Sequence, residues 1–359
     1  MSRLATRVLV MAGGTGGHVY PGLAVADALR ARGCEVAWLG TSAGLEARVV
    51  PAADIQLFCI KVRGLRGKGL LGWLRAPFLV TAAVVEAYGV LKRWRPQVVL
   101  GMGGFAAGPG GLAAWLSGRP LVIHEQNARA GLTNRVLAKF ARRVLEAFPQ
   151  TFAGAASVMH LGNPVRAEIT AVPTLEQVDP PLRILVLGGS QGALFLNETL
   201  PSALALLSYE FDLHVTHQCG TRHEEITNAA YAAEAHALDV TVKPFVDDMA
   251  TAYADAHLVV CRAGAMTVTE LAAAGRAAFL VPFPHAVDDH QTANGEYLVS
   301  AGGARLAAQS TLNIARLAES LRALLSDAQQ LVRMGHAART AYVPRSAERV
   351  ADVCLEVAQ

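Results

Sequence analysis

The sequence predicts an α/β protein built from two doubly wound, parallel-sheet domains facing a central cleft. Three observations carry this. One plan occurs twice: Arg7–Ala12 and Arg183–Leu187 each begin with a basic residue and continue as an apolar, strand-forming run. Each run enters a glycine-rich turn, Gly13–Gly17 or Gly188–Gly192, and then a helical pattern. That is the opening strand–loop–helix of a Rossmann-like domain. Short apolar runs also alternate with helix-length segments along both halves, which gives parallel strands joined by crossover helices. Finally, 359 residues suffice for two cores, and segment 162–181 carries Pro164, Pro173, Pro180 and Pro181, the composition of a linker. Domains are therefore expected at 1–164 and 165–359, with the last helix able to pack back on the first domain.

In the first half, strands are expected at 7–12, 35–39, 55–60, 97–101 and 120–124. Helices fall near 18–31, 70–93, 108–117 and 131–141. In the second half, strands at 183–187, 212–217, 240–245, 257–261 and 278–282 alternate with helices. Sheets of this kind bind ligands at the carboxyl ends of their strands, and the glycine-rich loops all sit there.

Composition excludes several classes. Apolar residues make up 52% and charged residues 17%, so the chain folds. The cysteines Cys34, Cys59, Cys219, Cys261 and Cys354 are odd in number and scattered, with no C-x-x-C pair. That argues against a disulfide framework or zinc ribbon and for a reducing compartment. No apolar run approaches the roughly 18 residues of a membrane span. The N-terminus runs into glycines and His18 instead of a signal-peptide cleavage site. A soluble, cytoplasmic protein is expected.

Charge is uneven. Residues 1–164 hold 19 Lys+Arg against 7 Asp+Glu, a net +12, whereas the remainder is −9 and the whole chain +3. Such asymmetry points to faces with different partners. Nucleic acid fits poorly, because the basic residues are not interleaved with stacking aromatics. An anionic membrane surface or a phosphorylated substrate fits better. Residues 61–78 place Lys61, Arg63, Arg66, Lys68 and Arg75 beside Leu70, Leu71, Trp73, Leu74 and Phe78. This is either a loop leading into a core helix or the basic-plus-aromatic combination of a membrane contact.

The loops supply the chemistry. In Gly13-Gly14-Thr15-Gly16-Gly17-His18, glycines admit an anion to the backbone and to the N-terminus of the next helix. It is neither a Walker loop nor G-x-G-x-x-G. His18 at its mouth is either structural or a general base near neutral pH. Gly101–Gly111, containing Gly103, Gly104 and Phe105, is a second candidate phosphate cradle. Its 101–106 stretch matches a relaxed dinucleotide fingerprint, but after the fourth strand rather than the first. His124-Glu125-Gln126-Asn127 ends the next strand. Gly188–Gly192 offers an anion site with Ser190 at its centre. Glu270, about one and a half turns into the helix after Cys261, either complements the helix dipole or binds a ribose. Asp288, Asp289 and His290 match no metal spacing. No metal site and no cofactor are expected.

These loops, with Gly64–Lys68, Gly162-Asn-Pro-Val-Arg166, Asp247-Asp-Met249 and 261–270, resemble the MurG family of GT-B glycosyltransferases, in order from about residue 7 to 300. The family transfers N-acetylglucosamine from UDP-N-acetylglucosamine to lipid I, giving lipid II for peptidoglycan synthesis. The resemblance implies donor contacts at Arg166 and Ser190 near the diphosphate and at Val246 beside the uracil. It adds Ala265, Met266, Thr267, Val268, Thr269 and Glu270, with Glu270 on the ribose, and Gln291 on the sugar. Thr15, Gly16, Gly17 and Asn127 would complete that site. Gly13, Gly14, Gly103, Gly104 and Phe105 would hold the acceptor pyrophosphate, and Leu70, Leu71, Trp73, Leu74 and Phe78 would touch the bilayer. His18 is the candidate base, with Glu125 second.

Phe105 stands where family members often carry Tyr, and His290 where some carry Gln. The implied partners are UDP-N-acetylglucosamine, undecaprenyl-linked lipid I, the anionic membrane and other cell-wall synthesis proteins, with no nucleic acid. The implied location is the cytoplasmic face of the bacterial inner membrane. The alternative reading is another UDP-N-acetylglucosamine enzyme of this fold, a 2-epimerase or a transferase with a soluble acceptor. A dehydrogenase would rest on the 101–106 match alone.

Overall fold

The computed structural model describes residues 5–62, 69–154, 158–189, 192–234 and 238–359, with side chains in the first turns of helix Gly69–Trp94 excepted. The first sheet contains β1 (Arg7–Ala12), β2 (Glu35–Gly40), β3 (Gln56–Cys59), β4 (Val98–Gly103), β5 (Leu121–Glu125), β6 (Arg143–Glu146) and β7 (Val158–His160). Their order is β3-β2-β1-β4-β5-β6-β7, and the pairings are parallel. The second sheet contains β8 (Leu182–Leu187), β9 (Leu213–Gln218), β10 (Asp239–Lys243), β11 (Leu258–Cys261), β12 (Ala277–Leu280) and β13 (Ala304–Leu306). Its order is β10-β9-β8-β11-β12-β13, again parallel.

Strand β1 shows why both sheet faces are covered. Val8 through Ala12 are all fully buried, as expected when helices pack on either side of a parallel sheet. Side chains alternate between faces. Val8, Val10 and Ala12 pack in one cluster with Val19, Val25 and Leu29 of helix Gly16–Arg30. Leu9 and Met11 belong to the other, with Ala83, Ala87 and Leu91 of helix Gly69–Trp94 and Ala113 of helix Ala107–Leu116. In the second sheet, Ile184 and Val186 pack with Leu196, Leu200 and Leu204 of helix Leu194–Leu207.

The chain divides into two compact units, Met1–Arg166 with Val343–Gln359, and Ala167–Tyr342. A boundary at 164/165 puts residues 343–359 in the second domain, with the last helix able to pack back on the first. They belong to the first because helix Ser346–Ala358 buries Val350, Ala351, Val353 and Cys354 in the Val8–Val10 cluster. Arg166 likewise falls in the first unit. The structure also adds β6, β7 and β13, which the sequence reading did not place.

Candidate functional site

In the first unit, the strand order reverses direction between β1 and β4, the switch point at which open α/β sheets bind ligands. Because β1 pairs with β4 and β4 with β5, the loops Gly13–His18, Gly103–Phe105 and Gln126–Asn127 leave neighbouring strands. Gly14, Gly103 and Gly104 have φ of +94°, +96° and +81°, a region costly for other residues. A Cβ at Gly104 would run into the Gly13 carbonyl, so the two glycine-rich loops touch backbone to backbone.

A residue absent from the sequence reading holds this arrangement. Glu46 is completely buried in the first turn of helix Glu46–Ala52. Its Oε2 accepts the Gly14 N–H at 3.0 Å, and its Oε1 accepts the Thr41 N–H at 2.9 Å and the Thr41 hydroxyl at 2.6 Å. Burial alone would raise its pKa. The Thr41 hydroxyl and the backbone N–H groups outweigh that and hold it below the usual carboxylate range. A Cβ on Gly13 would come within 2.6 Å of Glu46 Oε1, so glycine is needed there for space.

His18 lies in the first helical turn, and Thr15 is that helix's N-cap residue in extended conformation, with no side-chain cap bond. His18 Nδ1 is 2.9 Å from Gln126 Oε1. Gln126 Nε2 lies 3.1 Å from His124 Nδ1 and donates to the His124 carbonyl at 3.2 Å. His124 Nε2 in turn meets the Gly162 carbonyl at 2.9 Å. Burial drives the His124 pKa down to about 4, so that ring is neutral at pH 7.

Glu125 is buried beside this chain and accepts four bonds, from the Asn127 N–H, the Asn127 side-chain amide, the Gly131 N–H and the Asn134 side-chain amide. Asn127 is thereby tied to Glu125, and its carbonyl accepts from the Thr151 hydroxyl at 3.2 Å. Phe105 is exposed. The Arg166 guanidinium lies 5.8 Å from the Tyr20 ring centroid.

The second unit repeats the design at its own switch point, between β8 and β11. Gly189 and Gly192 have φ of +78° and +77°. Gln218 grips Gly189 from both sides, accepting its N–H and donating to its carbonyl, each at 2.9 Å. Ser190 lies outside the described residues.

After β11, helix Ala265–Ala274 follows Gly264. Ala265 and Val268 are buried, one turn apart on the core-facing stripe. Met266, Thr267, Thr269 and Glu270 are half-buried. Glu270 accepts from the Tyr253 hydroxyl at 3.1 Å, and the Thr269 hydroxyl donates to the Ala265 carbonyl at 2.9 Å. Val246 is buried. Gln291 Oε1 accepts the Phe283 N–H at 2.9 Å. Arg262 donates to the Val281 and Pro282 carbonyls and to Gln309 Oε1. Burial lowers its pKa.

Four helices start from these loops: Gly16–Arg30, Ala107–Leu116, Leu194–Leu207 and Ala265–Ala274. None carries a side-chain cap bond. Among the described residues, the N-cap side chains of these helices therefore leave the first-turn N–H groups and the positive dipole end open to an anion.

The basic segment enters helix Gly69–Trp94 as expected. Residues 63–68, and the side chains of Leu70, Leu71, Trp73 and Leu74, lie outside the described part. Phe78 is 79% exposed, and Leu79, Val85 and Tyr88 further along are exposed too. On the adjacent helix Trp115 and Leu116 are exposed, and the Trp115 ring packs against the exposed Phe140 at 4.8 Å between centroids, tilted by 43°. Among the described residues, no helix is long and apolar enough to cross a membrane.

Comparison with known proteins agrees with this geometry. Residues 8–146 match the glycosyltransferase family 28 N-terminal domain, and residues 183–350 match the glycosyltransferase family 28 C-terminal domain. A curated protein of Nitrosococcus oceani is 54% identical over 359 residues, 99% of both chains. One of Alkalilimnicola ehrlichii is 55% identical over 356 residues, covering 98% of this chain and 99% of the relative. Both are named UDP-N-acetylglucosamine–N-acetylmuramyl-(pentapeptide) pyrophosphoryl-undecaprenol N-acetylglucosamine transferase. The crystal structure of Acinetobacter baumannii MurG superposes with a TM-score of 0.83 at 44% identity, covering 98% of this chain and 99% of that one. With both domains matched and more than half its residues shared along the whole length, this chain belongs to glycosyltransferase family 28, among its GT-B N-acetylglucosamine transferases.

Proposed function

We propose that the protein moves N-acetylglucosamine from UDP-N-acetylglucosamine to the 4-hydroxyl of the N-acetylmuramoyl sugar of lipid I, giving lipid II. The observation that carries this is end-to-end identity above 50% to relatives named for that transfer. The acceptor oxygen attacks the anomeric carbon, the carbon–oxygen bond to UDP breaks, and the centre inverts to a β-1,4 linkage. His18 takes the hydroxyl proton.

The Gly13–Gly14 and Gly103–Phe105 loops hold the acceptor pyrophosphate. The donor lies on the second unit, its ribose on Glu270, its uracil beside Val246 and its sugar at Gln291. Ser190 and the uncapped start of helix Leu194–Leu207 stabilise the departing diphosphate. Glu125, whose oxygens already accept four N–H donors, shapes the Asn127–Asn134 loop and is not the base.

The basic first half and the exposed Phe78, Leu79, Trp115 and Phe140 support peripheral attachment to the anionic cytoplasmic face of the inner membrane. One incubation separates the transferase from the 2-epimerase reading. With UDP-N-acetylglucosamine alone, the protein should leave the donor unchanged. Accumulation of the C2-inverted sugar nucleotide without acceptor would reject the transferase reading.

A further inference from the structure

We propose that Gln126 and His124 act as positioning residues that fix the tautomer of His18, placing its hydrogen on Nδ1 and presenting Nε2 to accept the hydroxyl proton. The inference rests on His18 being the base, and deepens that reading by naming the atom and the groups that select it.

The assignment follows from which partners can only accept. The Gly162 carbonyl accepts, so His124 Nε2 carries a hydrogen. A neutral His124 then has a lone pair on Nδ1, and the Gln126 amide must donate to it. The second acceptor near that same NH2 group is the His124 carbonyl. With both amide hydrogens directed toward His124, Gln126 Oε1 faces His18, and His18 Nδ1 must donate to it. In neutral His18 the remaining nitrogen, Nε2, is the acceptor.

Turning the amide over would set Gln126 oxygen against the His124 carbonyl oxygen. It would also demand hydrogens on both His124 nitrogens, a cation in a fully buried site. Further contacts hold the relay: the Asn163 amide donates to the Gln126 carbonyl at 3.0 Å, and the Asn134 amide to the His124 carbonyl at 3.2 Å. Gly103 leaves the space for it, since a Cβ there would lie 2.9 Å from His18 Nδ1 and 3.6 Å from Gln126 Oε1. During transfer the acceptor O–H bond breaks as the new Nε2–H bond forms. The resulting imidazolium keeps its Nδ1–H on the Gln126 oxygen, which opposes ring rotation and supports the charge.

The test is long-range 1H–15N NMR of the full chain labelled with 15N-histidine, the His18 signals being assigned by their loss in His18→Gln. The expected spectrum shows His18 protonated at Nδ1 and bare at Nε2, and His124 protonated at Nε2. A His18 protonated at Nε2, or averaging between the tautomers, overturns the proposal with no variant needed. In Gln126→Leu, His18 should move toward the Nε2–H tautomer and kcat should fall about 100-fold, with KM for the UDP-sugar unchanged. An unaltered His18 tautomer in Gln126→Leu overturns the proposal. If instead His18→Gln keeps its turnover while the wild-type tautomer is as stated, the tautomer assignment stands and the base reading falls.

Discussion

Replacing Glu46 with glutamine tests how the acceptor loop is held. The side chain keeps its shape but loses its charge and one acceptor oxygen. Its remaining oxygen can serve the Thr41 N–H and hydroxyl, which leaves an NH2 group pointing at the Gly14 N–H that Oε2 now accepts at 3.0 Å. One charge-assisted bond, about 1.5–3 kcal/mol, is exchanged for a donor–donor contact, and the two Thr41 bonds weaken to neutral strength. Glu46 has no solvent-accessible surface, so its lost bonds are not replaced by direct contact with water.

The expected loss is about 2–4 kcal/mol, which lowers the melting temperature of a unit of this size by about 5–10 °C. The matched control is Glu35→Gln, which removes a half-exposed pair with Arg7 at 2.7 Å and should cost about 0–1 kcal/mol. Calorimetry reads the stability. Kinetics with a short-chain lipid I analogue should show a raised KM for the acceptor and an unchanged KM for UDP-N-acetylglucosamine. A Glu46→Gln protein that melts like Glu35→Gln with normal acceptor KM would refute the reasoning.

Three further outcomes are expected. His124 and His217 titrate at about 4 when folded, because burial disfavours their charged forms, against about 6.5 when unfolded. The unfolded chain therefore binds more protons, and stability falls between about pH 6.5 and 4 by about 1.4 kcal/mol per pH unit for each histidine. Melting temperatures that stay flat from pH 7.5 to 5 would reject this. Serine at Trp73 and Phe78 together should weaken binding to anionic vesicles about tenfold or more without altering UDP-sugar affinity, and unchanged sedimentation with vesicles would reject the membrane contact. Glu270→Gln should raise KM for the UDP-sugar about tenfold, from loss of a charge-assisted ribose contact, and a KM within twofold of wild type would remove Glu270 from the donor site.

Much of the fold is legible in the sequence because apolar runs and glycine turns are local signals. The strands from Arg7, Val98, Leu121 and Leu258, and the helix expected at 70–93 and found at Gly69–Trp94, follow from periodicity alone. The strands that escaped are short and lie toward the sheet margins. Arg143–Glu146, Val158–His160 and Ala304–Leu306 are three or four residues long, with charged or polar members in place of a continuous apolar run. For the last helix the sequence offers only the possibility of packing back on the first domain, since its destination is set by the Val8–Val10 face hundreds of residues earlier. Site loops were legible through their glycines. Glu46 was not, because a lone carboxylate in a helix acquires meaning only when folding brings Gly14 and Thr41 to it. Gln126 likewise needs β4 beside β5 before it can bridge two histidines.

The most direct test of the account is transfer from labelled UDP-N-acetylglucosamine to a short-chain lipid I analogue, with the product's linkage read by NMR. The account predicts label in a β-1,4-linked disaccharide only when acceptor is present, with UDP released in equal amount. Bound donor with no sugar moved to that acceptor, or an α-linked product, would contradict it.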